Sequence, residues 1–289
     1  MAKKGRREHW DRLVTSVEAD DGLPTRDSGP WATDKLWYWN RYIEITTKAM
    51  ADNPRWNGLV YVDLFSGPGI CNIRDSRDRI PGSPIIAAKA PKPFRKILLC
   101  ELEETLADAC ETRLSRMSPK VDFKVFRGDC NIQIDELVKS IPKRALTLAF
   151  LDPTGLHLDF LTIEKLSKNG AVDLLILFPD GVDVLRNEMT YLDQLDSNLD
   201  RVLGPDSNWR GRRMSMQTAE PSDLRKLYVL IYREQLKRHL GYEFSDDVTI
   251  SGPKGPLYRL VYATKSPLGL KFWLESCKKE LSGQLDLFK

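Results

Sequence analysis

The chain contains few of the residues that build metal centres and cross-links. Its 289 residues include three histidines and five cysteines, and the cysteines are widely spaced with no C-x-x-C pair. An odd number of scattered cysteines fits neither a disulfide framework nor a structural zinc site. With so few histidines, a histidine-based metal centre is not expected either. The sequence therefore predicts no metal site.

Long apolar runs are also missing. No stretch approaches the roughly 20 apolar residues that a membrane-spanning helix needs, and the charged start MAKKGRREHW has no apolar segment behind it. We therefore expect no membrane contact and a cytoplasmic location. The formal net charge of +3 is mild, so it permits nucleic-acid binding without arguing for it.

The composition changes along the chain and indicates three regions. Residues 1–30 are polar and basic and end in a run rich in breakers, which predicts a flexible basic segment. Residues 31–281 are predicted to form one domain, within which the charged and weakly periodic stretch 184–216 is an insertion or lid. Residues 282–289 are predicted to be a C-terminal tail.

The domain alternates short apolar runs with amphipathic stretches. The apolar runs predict strands at 59–64, 96–100, 123–127, 147–151, 173–178 and 257–263. Helices are expected at 33–50, 83–90, 105–117, 132–140, 159–167, 223–240 and 267–281. Nearly continuous apolar strands separated by helices predict an α/β fold with a mostly parallel, doubly wound sheet of the Rossmann-like kind, preceded by an N-terminal helix.

A turn with two glycines follows the first of these strands. Asp63 ends the apolar run, and Phe65, Gly67 and Gly69 follow at alternate positions. In doubly wound folds a nucleotide-like ligand binds at this end of the first strand, and glycines let the backbone approach it. A carboxylate such as Asp63 would repel phosphate and favour a ligand with an amino or cationic group. The motif is an incomplete dinucleotide fingerprint, because the third glycine is missing at the required spacing.

Acidic residues also follow the next two predicted strands. Glu101 stands where an acid commonly accepts hydrogen bonds from ribose hydroxyls. Asp129 stands where a side-chain acceptor can receive an adenine amino group. Each residue also suits a structural role, Glu101 at the start of the following helix and Asp129 as a helix N-cap. Because the three strand ends share one edge of the sheet, the set favours a ligand site.

The fourth strand ends in Asp152, Pro153 and Thr154, followed by Gly155. The residue before a proline is biased towards extended geometry, and the glycine allows a sharp bend. We therefore predict a catalytic role for this segment, with Asp152 as general base or hydrogen-bond acceptor for a substrate amine. A structural aspartate in a Pro-Gly turn is the alternative.

The order of these motifs resembles that of class I S-adenosylmethionine (SAM)-dependent methyltransferases. The motifs are the Asp63-x-Phe65-x-Gly67-x-Gly69 turn, Glu101, Asp129 and Asp152-Pro153. The resemblance implies that SAM is the cofactor. It implies further that the turn holds the amino-acid part of SAM, Glu101 the ribose and Asp129 the adenine.

More narrowly, several segments resemble the bacterial three-Cys-motif partner protein (TcmP) family. Besides the motifs above, they are Gly29-Pro30-Trp31, Lys35-Leu36, Gly82-Ser83-Pro84, Asp152-Pro153-Thr154-Gly155, Tyr262-Ala263-Thr264 and Pro267-Leu268-Gly269. The resemblance runs from about residue 29 to the C-terminus. It implies a protein that works with a radical-SAM-like partner, which carries the three-cysteine motif that this chain lacks.

One departure concerns the acceptor. Methyltransferases that modify amino groups in nucleic acids usually have (Asp/Asn)-Pro-Pro-(Phe/Tyr), with the aromatic ring stacked on the target base. Here Thr154 and Gly155 occupy the last two positions, and His157 or Phe160 would have to replace the ring. No Pro-Cys dipeptide occurs, which disfavours covalent attack on cytosine. A non-catalytic adaptor with a methyltransferase fold is therefore the alternative to an enzyme.

The tail carries a motif of its own. Gln284, Leu285, Leu287 and Phe288 resemble the pentapeptide with which bacterial DNA polymerases and repair proteins bind the sliding clamp. In such a motif the Leu-Phe pair fills an apolar pocket and the glutamine supplies a directional hydrogen bond. The alternative is that these side chains fold back onto the core. With small basic clusters at 3–7 and 210–213, the tail favours association with DNA.

Overall fold

A seven-stranded sheet forms the centre of the computed structural model, which describes residues 5–117, 120–217 and 220–278. The strands in these ranges are β1 Arg26–Ser28, β2 Leu59–Asp63, β3 Ile70–Ile73, β4 Arg79–Pro81, β5 Lys96–Glu101, β6 Phe123–Arg127, β7 Leu146–Leu151, β8 Ala171–Phe178, β9 Phe244–Gly252 and β10 Gly255–Thr264. They belong to this sheet or to a small second one, formed by β1, β3 and β4. The helices are α1 Gly5–Thr15, α2 Trp31–Met50, α3 Ser83–Ala88, α4 Glu104–Met117, α5 Cys130–Lys139, α6 Phe160–Ser167, α7 Leu185–Asp193, α8 Asn198–Leu203, α9 Trp209–Met214, α10 Pro221–Leu240 and α11 Pro267–Cys277. A π-helical turn, Asp180–Val184, joins β8 to α7.

The sheet order is β6-β5-β2-β7-β8-β10-β9. The five strands from β6 to β8 are parallel, and β10 runs antiparallel to both of its neighbours. The chain first builds outward from β2 to β6 and then returns to place β7 on the other side of β2. The prediction of a mostly parallel, Rossmann-like α/β sheet is confirmed. In such sheets ligands bind at the carboxyl ends of the strands, where the order reverses.

The strands are buried on both faces because helices cover both sides. In β2, Val60 and Val62 belong to a core cluster with α5, α6 and α10. Leu59 and Tyr61 point the other way, into a cluster with α2, α3, α4 and α11. A strand with no solvent-facing side has no polar positions to alternate with, which is why these strands appear as continuous apolar runs in the sequence.

The first thirty residues differ from the flexible segment that the sequence predicts. From residue 5 onwards they contain α1 and β1, and Trp10, Leu13 and Val17 are buried in the core cluster on the α2 face. Strand β1 pairs with β3, which pairs with β4 in a small second sheet. The prediction failed here because α1 has only a few apolar anchors among charged residues, too few to show helical periodicity.

The stretch 184–216, whose assignment as an insertion stays a prediction, is folded and lies between β8 and α10 in the chain. It contains α7, α8 and α9, and Leu199, Leu203 and Trp209 are buried in the cluster with α6 and α10. A capping box between Ser197 and Asp200 starts α8. Its role as a lid stays a prediction. None of the helices in the described ranges combines the length and apolarity that a membrane span requires.

Candidate ligand site at the carboxyl edge of the sheet

Asp63 lies behind the turn that follows β2. It is fully buried, and its Oδ1 accepts the backbone N–H of Phe65 at 3.1 Å. Its Oδ2 accepts the hydroxyls of Ser83 at 2.6 Å and Tyr61 at 3.1 Å. Burial raises the pKa of Asp63 to about 7, although the hydrogen bonds from Ser83 and Phe65 act in the opposite direction. The buried carboxyl group therefore stabilises the turn through its hydrogen bond with the N–H of Phe65.

Glycines give the turn its form. Gly67 and Gly69 have φ values of 60° and 87°, in the left-handed region that favours glycine. The N–H of Gly82 donates to the carbonyl of Gly69 at 2.8 Å, and a Cβ on Gly82 would lie equally close to that oxygen. The turn is thus pressed against the start of α3, which explains the Gly82-Ser83 pair noted in the sequence.

Glu101 and Asp129 occupy the next two strand ends. Glu101 is buried, and its two oxygens accept the N–H groups of Gly67 at 2.7 Å and Glu103 at 3.1 Å. Asp129 caps α5 by accepting the N–H of Asn131 at 2.8 Å. The capping role considered for Asp129 is therefore present, and Glu101 contacts the residue just before α4. These contacts do not exclude ligand binding, because an ionised carboxylate offers about four lone-pair sites.

A first cavity of about 240 Å³ opens between these strand ends. Its walls combine acidic, apolar and aromatic side chains, among them Phe65, Glu101, Leu102, Asp129 and His157. Of the predicted cofactor residues, Phe65, Glu101 and Asp129 line this cavity, whereas Asp63, Gly67 and Gly69 do not. Phe160, the other candidate for a stacking ring, is buried in the core at 2% exposure and does not serve that purpose.

A second cavity of about 270 Å³ adjoins the first at Arg26 and Thr154, which line both. Asp152 and Pro153 lie in this second cavity, so all three predicted catalytic residues reach it. Asp152 forms an ion pair with Lys35 of α2, and both side chains are largely buried. The sequence offers no direct signal for this pair, because 117 residues separate its members.

The ion pair determines the charge at the end of β7. Burial disfavours the ammonium of Lys35, but the neighbouring Asp152 carboxylate outweighs this effect and raises the pKa of Lys35 above its ordinary value. Lys35 therefore carries its proton at neutral pH and neutralises Asp152. Burial raises the pKa of Asp152, although Lys35 acts in the opposite direction. The Lys35 ammonium already donates to Oδ2 of Asp152, so that oxygen is less available to a substrate than in the free aspartate that the sequence suggests.

The segment before β1 is tied to the glycine turn through Arg113. This arginine is buried at 1% exposure and donates to the carbonyls of Pro68 at 2.7 Å, Pro24 at 2.7 Å and Leu23 at 3.0 Å. It also donates to Asp21 at 2.7 Å and lowers the pKa of that carboxyl group. Residues 21–24 are thereby held over the turn after β2.

Two further predictions concern other parts of the chain. The clamp-like motif at 284–288 lies outside the described residues. Within the described ranges, no group of three or more histidine, cysteine, aspartate or glutamate side chains is arranged to hold a metal ion.

Comparisons with known proteins find likeness among solved structures. No family model matches the chain, and no curated protein does either. A Legionella pneumophila protein of known structure is 13% identical and covers 89% of this chain and 95% of its own, with a TM-score of 0.50. An O-methyltransferase from Bacillus cereus in complex with SAH is 13% identical over 92% and 93% of the two chains, with a TM-score of 0.47. An O-methyltransferase of tomaymycin synthesis from Streptomyces achromogenes, in complex with SAM, is 12% identical over 92% and 100%, with a TM-score of 0.42.

At these identities the likeness concerns the fold alone. Together with the sheet order and the antiparallel strand β10, the likeness to the Legionella protein indicates a Rossmann-like fold.

Proposed function

We propose that the chain is a SAM-dependent methyltransferase of the TcmP type. One observation carries the proposal: side chains from three separate strand ends, Phe65, Glu101 and Asp129, line one cavity at the carboxyl edge. This cavity lies beside the point where the strand order reverses, the usual ligand position in doubly wound sheets. A second cavity, with Asp152, adjoins it.

The residues present suit the parts of SAM. Glu101 and Asp129 are acceptors for the donors that a ribose and an adenine present, and Phe65 and Leu102 are apolar walls for the faces of a purine. SAM, when bound, supplies a methyl group on a positively charged sulfur. Once Asp63 is ionised, its negative charge would stabilise a cationic group of SAM at the turn.

Titration with SAM by isothermal calorimetry tests the cofactor. Wild type is expected to bind. Glu101→Gln is expected to weaken binding at least tenfold, since a bond to a charged acceptor contributes about 1.5–3 kcal/mol. Glu104→Gln, which alters an exposed acid at the first position of α4, is the matched control and should bind like wild type. Failure of wild type to bind SAM would overturn the cofactor proposal.

Asp129 offers a second variant that separates structure from binding. Asp129→Ser keeps a good helix N-cap but removes the carboxylate. We expect unchanged thermal stability with a severalfold loss of SAM affinity. Unchanged affinity would leave Asp129 with its capping role alone.

We further propose that the protein acts on DNA or is associated with it, together with a three-cysteine radical-SAM-like partner. The resemblance of the TcmP-like segments and the clamp-like tail support this. A pull-down on immobilised sliding clamp tests the tail: the Gln284→Ala/Phe288→Ala chain should be lost, and Asp286→Ala, at the variable position of the motif, should be retained. Equal retention of all three chains would rule out the tail as the contact.

The second candidate is a non-catalytic adaptor that recruits the radical-SAM-like partner to DNA. The Lys35–Asp152 ion pair favours it, because the pair occupies the carboxylate expected to act as base. Incubation with methyl-labelled SAM, DNA and the partner separates the two candidates. Label transferred by wild type and lost in Asp152→Ala would exclude the adaptor, and SAM binding without transfer would support it.

A further inference from the structure

Tyr258 places an unsatisfied hydroxyl at the second cavity. The residue belongs to β10, is 5% exposed and lines the cavity. Within the described residues, its buried hydroxyl oxygen has no hydrogen-bond partner. The Lys35 ammonium lies 6.0 Å from the centre of its ring. Buried hydroxyls are nearly always bonded, so this oxygen is suited to a ligand.

The donors of the cavity favour an anion. Lys35 pairs with Asp152, Arg26 lies 3.7 Å from Glu103, and Arg74 and Asp27 are the other charged residues of the lining. Cations and carboxylates therefore balance, and the choice of ligand depends on the groups that face it. An amine would meet the Lys35 ammonium, whereas an oxyanion would accept hydrogen bonds from that ammonium and from the Tyr258 hydroxyl.

Apolar side chains also line the cavity, among them Trp31, Leu177 and Leu257. Its volume of about 270 Å³ suits a group of the size of one ring. The Trp31 indole packs directly on Gly29, where a Cβ would lie 2.2 Å from the ring. Any side chain at position 29 would displace this indole.

We propose that the second cavity binds the acceptor and that it takes an oxyanion, a carboxylate or a phosphate on a small apolar body, with the Tyr258 hydroxyl and the Lys35 ammonium as donors. This inference rests on the proposed function and assigns its acceptor group to a charged oxygen instead of an amine. Transfer would form a bond between the oxyanion's oxygen and the methyl carbon as the bond from that carbon to the sulfur of SAM breaks, which leaves S-adenosylhomocysteine. No proton is released, so no general base is needed. This agrees with an Asp152 that is already paired with Lys35.

Three probes with the same ring test the site. Benzoate, phenyl phosphate and benzylamine are titrated into the full-length protein, with and without S-adenosylhomocysteine, and followed by ligand-observed NMR. Benzoate or phenyl phosphate should bind and benzylamine should not, and the tighter of the two anions identifies the natural oxyanion as carboxylate or phosphate. Binding of benzylamine as tightly as the anions, or no binding by any probe, would overturn the proposal.

Matched variants locate the contact. Tyr258→Phe should weaken anion binding about tenfold, because a hydrogen bond to a charged group is lost. Tyr232→Phe removes a hydroxyl from a fully buried tyrosine on the opposite face and should have no effect. Equal anion affinity of Tyr258→Phe and wild type would remove Tyr258 from the site.

Lys35→Met should abolish anion binding, with Lys165→Met, which breaks a surface pair with Asp135, as its control. If Lys35→Met folds poorly, the comparison of Tyr258→Phe with wild type still tests the site. Titration of the same variants with SAM tests the proposed function separately from the oxyanion site. Anion binding without SAM binding would sink the proposed function and leave the oxyanion site standing, and SAM binding without anion binding would do the reverse.

Discussion

Asp63 and Asp152 lie at the ends of neighbouring parallel strands, but the groups that surround their carboxylates differ in charge. Asp63 is surrounded by neutral donors, the hydroxyls of Tyr61 and Ser83 and one backbone N–H. Asp152 is paired with the ammonium of Lys35. Burial raises the pKa of both carboxyl groups, but at Asp152 the positive charge of Lys35 acts against it, whereas at Asp63 only neutral donors do. One strand end can therefore change its charge, and the other holds a fixed pair.

The largest expected effect is a pH dependence of stability from Asp63. An unfolded aspartate titrates near pH 4, while burial raises the pKa of Asp63 to about 7 in the folded protein. Between these values the folded state holds a proton that the unfolded state has lost, so stability falls as pH rises. From pH 4 to pH 7, Asp63→Asn should gain about 4 kcal/mol in unfolding free energy relative to wild type, measured by urea denaturation.

Above pH 7 the difference between Asp63→Asn and wild type should level off, because both states of wild type are then ionised. Asp223→Asn, which alters a half-exposed aspartate in a surface pair with Lys226, is the control and should follow wild type at every pH. Parallel curves for Asp63→Asn and wild type would show that Asp63 is ionised throughout.

Breaking the fixed pair should have the next largest effect. Lys35→Met leaves the carboxylate of Asp152 largely buried without its cation, which should cost about 3 kcal/mol of unfolding free energy at pH 8. Lys35→Met/Asp152→Leu should recover most of that loss, since both charges are gone. Lys165→Met, from an exposed pair, should cost less than about 1 kcal/mol. A double variant as unstable as Lys35→Met would mean that packing, not charge, dominates at Lys35.

The smallest effect refines the description of Asp63. Ser83→Ala removes the 2.6 Å hydrogen bond to its carboxylate, which should cost about 1 kcal/mol and move the pH transition of Asp63 upwards. Ser276→Ala removes a bond of equal length to the Trp273 carbonyl and should lower stability without moving that transition. A transition shifted equally by both variants would contradict a direct effect of Ser83 on Asp63.

The regularity of the fold is visible in the sequence, because parallel strands covered on both faces are continuous apolar runs. Strand β6 was predicted with its observed bounds, and β2, β5, β7 and β8 within two residues of theirs. Strand β9 escaped prediction. Three polar residues follow its first residue, Phe244, and the strand is half-buried, so its place in the sheet depends on β10 and not on a periodicity of its own.

The residues of the candidate site also differ in whether the sequence could predict their position. Glu101, Asp129 and Asp152 follow apolar runs, so their position at one edge could be predicted from each local segment. Lys35 and Tyr258 could not, since one lies in a helix and the other in a strand far from Asp152 along the chain. Only the packing of α2 and β10 against β8 and its neighbours brings them together.

Arg113 has a consequence for the order in which the chain gains its structure. Its partners Asp21, Leu23 and Pro24 precede it by about ninety residues, and Pro68 precedes it by 45. Contacts at such separations form only after the intervening chain has collapsed, since closing a longer loop costs more entropy. During synthesis residues 21–24 leave the ribosome early, but they can form these hydrogen bonds only after α4, which carries Arg113, has been made.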